Sequence, residues 1–141
     1  MPDFDPVTRT RTLARMVGPY LIAVAAMVFA RQDRLPALLS AYMQDDVLVL
    51  ATGAFALMAG LAVVAAHHHW TGPSAIAISL IGVVATLKGA WLMIAPNLGS
   101  EMTAVVVRTP SLLVVVALIE FLVGCWLSLV GWRRDPSVVK K

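Results

Sequence analysis

Residues 110–132 read PSLLVVVALIEFLVGCWLSLVGW, an almost unbroken apolar run with one carboxylate, Glu120, near its middle. At ~1.5 Å per residue, a helix of this length crosses the ~30 Å hydrocarbon core of a bilayer. An ionisable group is costly at that depth, so the sequence predicts a charged partner or a function for Glu120. The best candidate partner is Lys88, which is the only basic residue in the preceding apolar run, 75–95.

Two further apolar runs precede these. The chain has 60% hydrophobic and 13% charged residues and a mean hydropathy of +0.84, far from the balance of soluble domains. We therefore expect an all-α, polytopic membrane protein, a single bundle over 13–132 with four transmembrane helices at 13–30, 47–66, 75–95 and 111–131. The basic flank of the first run resembles a secretory signal. Because three more spans follow, we expect that run to be retained as a helix.

The remaining segments divide into interfacial helices and tails. Apolar residues at helical spacing predict a short amphipathic helix at the membrane interface over 35–43, and 98–108 is expected to form a second. Residues 1–12 are interpreted as an N-terminal segment and 133–141 as a basic tail. Each half of the chain then runs span, interfacial segment, span, which suggests an internal repeat of two hairpins. Two hairpins stacked only for stability would give the same pattern.

The distribution of basic residues predicts an orientation. In a four-span chain, three Lys or Arg residues lie on the side of the two interfacial helices, and seven lie on the side of the termini: Arg9, Arg11, Arg15, Arg133, Arg134, Lys140 and Lys141. The positive-inside rule then predicts that both termini lie in the cytoplasm. The location that we expect for the protein is a bacterial inner membrane. The guanidinium of Arg15 is expected to reach the lipid headgroups.

Depth in the membrane allows Lys88 and Glu120 to meet. Lys88 precedes Pro96 by eight residues, ~12 Å along a helix, and Glu120 follows Pro110 by ten residues, ~15 Å. We expect the third and fourth spans, joined by a modest loop, to pack as neighbours. The pair then either pins two helices together or serves a function, in which Glu120 exchanges a proton or contacts a polar ligand headgroup.

Small residues form stripes that predict close helix packing. On the fourth span the stripe also contains Glu120. The other expected packing residues are Gly53, Ala56 and Gly60 on the second span, Gly82, Ala85 and Gly89 on the third, and Ala117, Gly124 and Ser128 on the fourth. A groove for a lipid or quinone tail is the alternative interpretation.

The histidines and the cysteine of the chain give little indication of a function. His67, His68 and His69 are consecutive and have no carboxylate nearby in sequence. We interpret them as interfacial residues, with metal binding or pH sensing as the alternative. No histidine lies within a span, so no axial haem ligand is expected, and the single cysteine, Cys125, cannot form a disulfide within one chain. We expect no enzyme, no cofactor and no nucleic-acid partner.

The motif Lys88-Gly89-x5-Pro96, followed by Glu120-Phe-Leu-Val-Gly124-Cys-Trp-Leu127, resembles the DoxX-like group of small four-helix bacterial membrane proteins. The resemblance covers about residues 80 to 132 and departs from the family pattern at Val123, where a second glycine would be expected. It implies a compact four-helix bundle and a role as an accessory subunit of a membrane redox system.

The sequence therefore predicts a non-catalytic accessory or interaction subunit of a membrane complex, whose partners are the lipid bilayer and other membrane subunits. A homo-oligomer is also open. The alternative is a protein that handles a small molecule, a lipid or quinone, or a proton through Lys88 and Glu120.

Overall fold

The structure is a computed structural model, and it describes residues 6–66 and 72–133. Every regular element in these ranges is helical, which confirms the all-α fold. A short 3-10 turn at Gln32–Arg34 joins the first two of six α-helices. These are α1 (Pro6–Arg31), α2 (Leu35–Met43), α3 (Asp46–Ala66), α4 (Pro73–Ile94), α5 (Pro96–Arg108) and α6 (Pro110–Trp132).

Four helical stretches are long and apolar enough to cross a membrane: Thr8–Met43, which contains most of α1 together with α2, and the helices α3, α4 and α6. Helix α1 begins at Pro6, seven residues before the start that the hydropathy pattern gave. Prolines open α4, α5 and α6, where their fixed φ suits a first turn and their missing N–H costs no hydrogen bond. Asp45 caps α3 by accepting a hydrogen bond from the Leu48 amide at 3.0 Å.

The long helices form two close pairs. The first pair is α1 with α6, and the second pair is α3 with α4. We expected α4 and α6 to pack as neighbours because they are adjacent spans in the chain, but this is wrong, since contact between them is marginal at most. The intervening α5 spans 13 residues along the end of the bundle, so α6 does not have to return beside α4.

Glycines allow the two helices of each pair to lie close together. The glycine contacts of the two pairs are at equivalent positions. Gly18 of α1 lies against Gly124 and Ser128 of α6, and Gly89 of α4 lies against Gly53 and Leu57 of α3. Each contact in the first pair corresponds to one in the second pair at a spacing of 71 residues in sequence: Gly18 with Gly89, Gly53 with Gly124, Leu57 with Ser128.

A second glycine contact in each pair keeps the same spacing. Gly131 packs on Arg15, and Gly60 packs on Thr86, which again are residues 71 apart. Each pair thus has two glycines a heptad apart on one helix, so that they face the same neighbour. The two halves of the chain therefore supply equivalent halves of two helix pairs.

The two pairs meet mainly at the end of the bundle where α1 begins and α6 ends, which we call the terminal end. Ala14, Ile78 and Leu127 are fully buried there, surrounded by partly buried residues that include Val17, Ile81 and Val123. At the opposite end, the cap end, α2 and α5 contact each other and connect the pairs.

Candidate functional site

Glu120 lies at the middle of α6, ten residues from Pro110 and twelve from Trp132. Its side chain is half-buried. Leu127, one heptad further on the same helix face, is fully buried in the core of the terminal end. Glu120 therefore faces the region between the helix pairs, about 10 Å beyond that core at ~1.5 Å per residue.

Lys88 occupies a comparable position on α4. Seven residues separate it from Ile81, which packs against the terminal core, so the two residues share a helix face. Ile81 is half-buried, whereas Lys88 is exposed. The side chains on this face of α4 thus become more exposed over two helical turns. This increase in exposure indicates that the distance between the two helix pairs is larger at the level of Lys88 than at the level of Ile81.

Lys88 and Glu120 therefore lie on faces of α4 and α6 that continue from the terminal core. Their pairing stays a prediction from their depths in the two helices. They do not form a sealed ion pair, because Glu120 is only half-buried and Lys88 is exposed. The arrangement is a polar position in the opening between two apolar helix pairs.

The 71-residue register identifies the residues that occupy the equivalent positions in the other half. Val17 precedes Gly18 as Lys88 precedes Gly89, and Val49 lies four residues before Gly53 as Glu120 does before Gly124. Val17 is half-buried and Val49 is buried. Each close pair therefore contains one charge and one valine, so the packing of a pair requires no charge at either position.

The predicted small-residue stripes lie largely within the pairs. Ala117 and the glycines of α3, α4 and α6 are buried, and Ala56 and Ala85 are half-buried. The Ser128 hydroxyl is buried at the Gly18 contact without a hydrogen-bond partner. Beside it, an open groove of about 620 Å³ between α1 and α6 is lined by residues that include Ile22, Cys125 and Leu129.

The histidine prediction falls on His67, His68 and His69, which lie outside the described residues. Within 6–66 and 72–133, no group of three or more His, Cys, Asp or Glu side chains is placed to hold a metal ion.

Arg15 has a role that the sequence did not indicate. Its Nε donates a 2.7 Å hydrogen bond to the Gly131 carbonyl, and the guanidinium lies 5.6 Å from the centre of the Trp132 ring. The expected contact of this guanidinium with lipid headgroups stays a prediction. A cation at the carboxyl end of a helix is favourable because it satisfies a free carbonyl. Arg15 thus joins the end of α6 to α1.

The cap end also has a feature that the sequence did not reveal. A cavity of about 480 Å³ lies between α2 and α5. Its lining combines apolar side chains with Ser40, Glu101 and Arg108. Separate analysis of each interfacial helix could not reveal this cavity, because it requires both helices.

Comparisons of the chain with models of known families, with curated proteins and with solved structures find no match. The resemblance to DoxX-like proteins stays a prediction from the motif around Lys88, Pro96 and Glu120.

Proposed function

We propose that this protein is a non-catalytic accessory or interaction subunit that docks onto another membrane protein through the opening between α4 and α6. The observation that carries the proposal is the exposure of Lys88 in the interior of a membrane-spanning helix. A lipid-exposed ammonium is unfavourable at that depth, so such residues usually face a partner or a polar path. A partner helix with a polar or acidic side chain would cover Lys88 and complete its hydrogen bonding.

The equivalent valines support an intermolecular role. If the charges served only to hold the bundle together, the other half would need a substitute for them. The positions equivalent to Lys88 and Glu120 are occupied by Val17 and Val49. Both helix pairs nevertheless have the same glycine contacts. Replacing ionic groups by apolar ones of similar packing is often neutral for folding, so the bundle need not depend on these charges.

A second candidate function is the handling of a small molecule, a lipid or quinone headgroup, or a proton. It is favoured by the presence of two ionisable groups inside membrane-length helices, Glu120 half-buried and Lys88 exposed, which a polar headgroup could contact. Both candidates use the same position and differ in what occupies it. The proposed location is the bacterial inner membrane with both termini in the cytoplasm, and reporter fusions at each terminus test the orientation.

The test replaces the charged pair by the residues that the other half uses. Wild-type protein and the double variant Lys88→Val/Glu120→Val are purified in a mild detergent, and the material that co-purifies is identified by mass spectrometry. The matched control, Arg31→Gln/Asp33→Asn, removes one cation and one anion at the cap end, from the last residue of α1 and from the 3-10 turn. Circular dichroism checks that all three proteins keep the same helix content.

The proposal expects a defined polypeptide with the wild type and the control, and its loss from the folded double variant. If the double variant instead loses a lipid, a quinone or another small molecule, the result would support the second candidate function. Equal retention of the polypeptide by all three proteins would show that the charged pair is not the docking position.

A further inference from the structure

We propose that the cavity between α2 and α5 binds the headgroup of a zwitterionic phospholipid that has a primary ammonium, the chemistry of phosphatidylethanolamine. This site lies at the cap end, where α5 connects the ends of α4 and α6, and is separate from Lys88 and Glu120. Because α2 and α5 connect membrane-length helices at the cap end, we place the cavity at the level of the lipid headgroups.

The charges that line the cavity are complementary to such a headgroup. Glu101 and Arg108 are seven residues apart on α5, so they lie on one helix face about 10 Å apart at ~1.5 Å per residue. Glu101 can accept hydrogen bonds from an ammonium, and the guanidinium of Arg108 can bind a phosphate with two parallel hydrogen bonds. In ethanolamine phosphate, two carbons separate the ammonium nitrogen from the phosphate oxygen. The ammonium can therefore lie next to Glu101 while the phosphate lies next to Arg108.

The opposite wall supplies a further donor and an apolar surface. Ser40 of α2 accepts a 3.4 Å hydrogen bond from the Gln44 amide, which leaves its O–H to donate to a phosphate oxygen. Leu39, Met43 and Val105 also line the cavity, and they provide contacts for the glycerol and the first acyl carbons. A volume of about 480 Å³ lies within the range of pockets that bind small ligands.

The ethanolamine headgroup fits the two side chains because it has both a phosphate anion and an ammonium with N–H groups. A choline headgroup has the same charges but no N–H to donate to Glu101, and a glycerol headgroup has no cation at all. The site should therefore prefer phosphatidylethanolamine over phosphatidylcholine through hydrogen bonding, and over phosphatidylglycerol through charge.

The test is native mass spectrometry of the full chain in detergent, titrated with each of the three lipids at equal acyl length. Glu101→Gln and Arg108→Gln are compared with Asp33→Asn and Arg34→Gln, which remove the same charges from the neighbouring 3-10 turn, outside the cavity lining. Circular dichroism confirms equal helix content.

We expect the wild type to bind phosphatidylethanolamine most tightly. Glu101→Gln should lower that affinity about threefold to tenfold and abolish the preference over phosphatidylcholine, as expected for the loss of a charge-assisted hydrogen bond at a solvated site. Arg108→Gln should weaken all three lipids by a similar factor, and the two control variants should behave as the wild type.

Three results would overturn the proposal. These are equal binding of the three lipids by the wild type, an unchanged preference in Glu101→Gln, or control variants that weaken binding as much as the cavity variants.

Discussion

Adding one methyl group at Gly89 tests the close packing of α3 and α4. A Cβ at this position would lie 2.6 Å from the Cα of Leu57 and 2.8 Å from the carbonyl oxygen of Gly53, and closer still to the Leu57 amide nitrogen. All three atoms belong to the backbone, so no side-chain rotation can relieve the clash. The helices would have to separate by about 1 Å, and such overpacking costs about 1–3 kcal/mol.

The sign of the effect makes the Gly89→Ala measurement informative. In a helix without this contact, glycine to alanine would stabilise by up to about 1 kcal/mol, because alanine has the higher helix propensity. We predict instead that Gly89→Ala lowers the free energy of unfolding by about 1–3 kcal/mol. The assay is unfolding by sodium dodecyl sulfate in mixed micelles, followed by the fluorescence of tryptophan, including Trp91 on the same helix.

Two companion variants complete the test. Gly18→Ala should destabilise with the same sign, since its Cβ would meet the Ser128 backbone at the equivalent contact of the other pair. Ala54→Val adds volume on an exposed face of α3 and should change the free energy by less than about 0.5 kcal/mol. A neutral or stabilising Gly89→Ala would refute the close approach and, with it, the equivalence of the two pairs.

Two further predictions concern the cap of α3 and the core of the terminal end. Asp45→Ala removes the acceptor of the Leu48 amide and should cost about 1 kcal/mol, seen also as faster hydrogen exchange in the first turn of α3, whereas Asp33→Ala should not. Leu127→Ala empties a fully buried position and should cost about 1–3 kcal/mol, below the range for soluble proteins because lipid replaces water outside the bundle. Leu129→Ala, on an exposed position, should cost less than about 0.5 kcal/mol.

Much of the fold was predictable because each long helix is encoded by its own segment. Apolar length identifies the spans, and a separate helix, α2, runs over Leu35–Met43. Its place at the membrane interface stays a prediction. The 71-residue register was also visible in the sequence, since Gly18, Gly53 and Gly60 recur as Gly89, Gly124 and Gly131. The stripes alone did not reveal it, because small residues on one helix indicate close packing without naming the neighbour.

The pairing of the helices could not be predicted for a physical reason. In a soluble bundle the buried face of a helix is the apolar one, but lipid-facing residues such as Leu118 and Leu122 are as apolar as those in contact with α1. Hydrophobic patterning therefore does not distinguish a helix neighbour from the bilayer. Similar depths of Lys88 and Glu120 follow from the sequence, whereas the exposure of Lys88 depends on where the two helix pairs separate.

The central claim is that the bundle does not need Lys88 and Glu120 in order to fold, and a double-mutant cycle tests it most directly. The free energy of unfolding in mixed micelles is measured for the wild type, Lys88→Val, Glu120→Val and the double variant. Each single variant leaves one charge without its partner and should cost about 1–2 kcal/mol, below the value for a fully buried pair because the site is partly open. The double variant should lie within about 1 kcal/mol of the wild type, as Val17 and Val49 imply. A double variant destabilised by the sum of the two single variants, or unable to fold, would show that the charges hold the bundle together and would contradict the account.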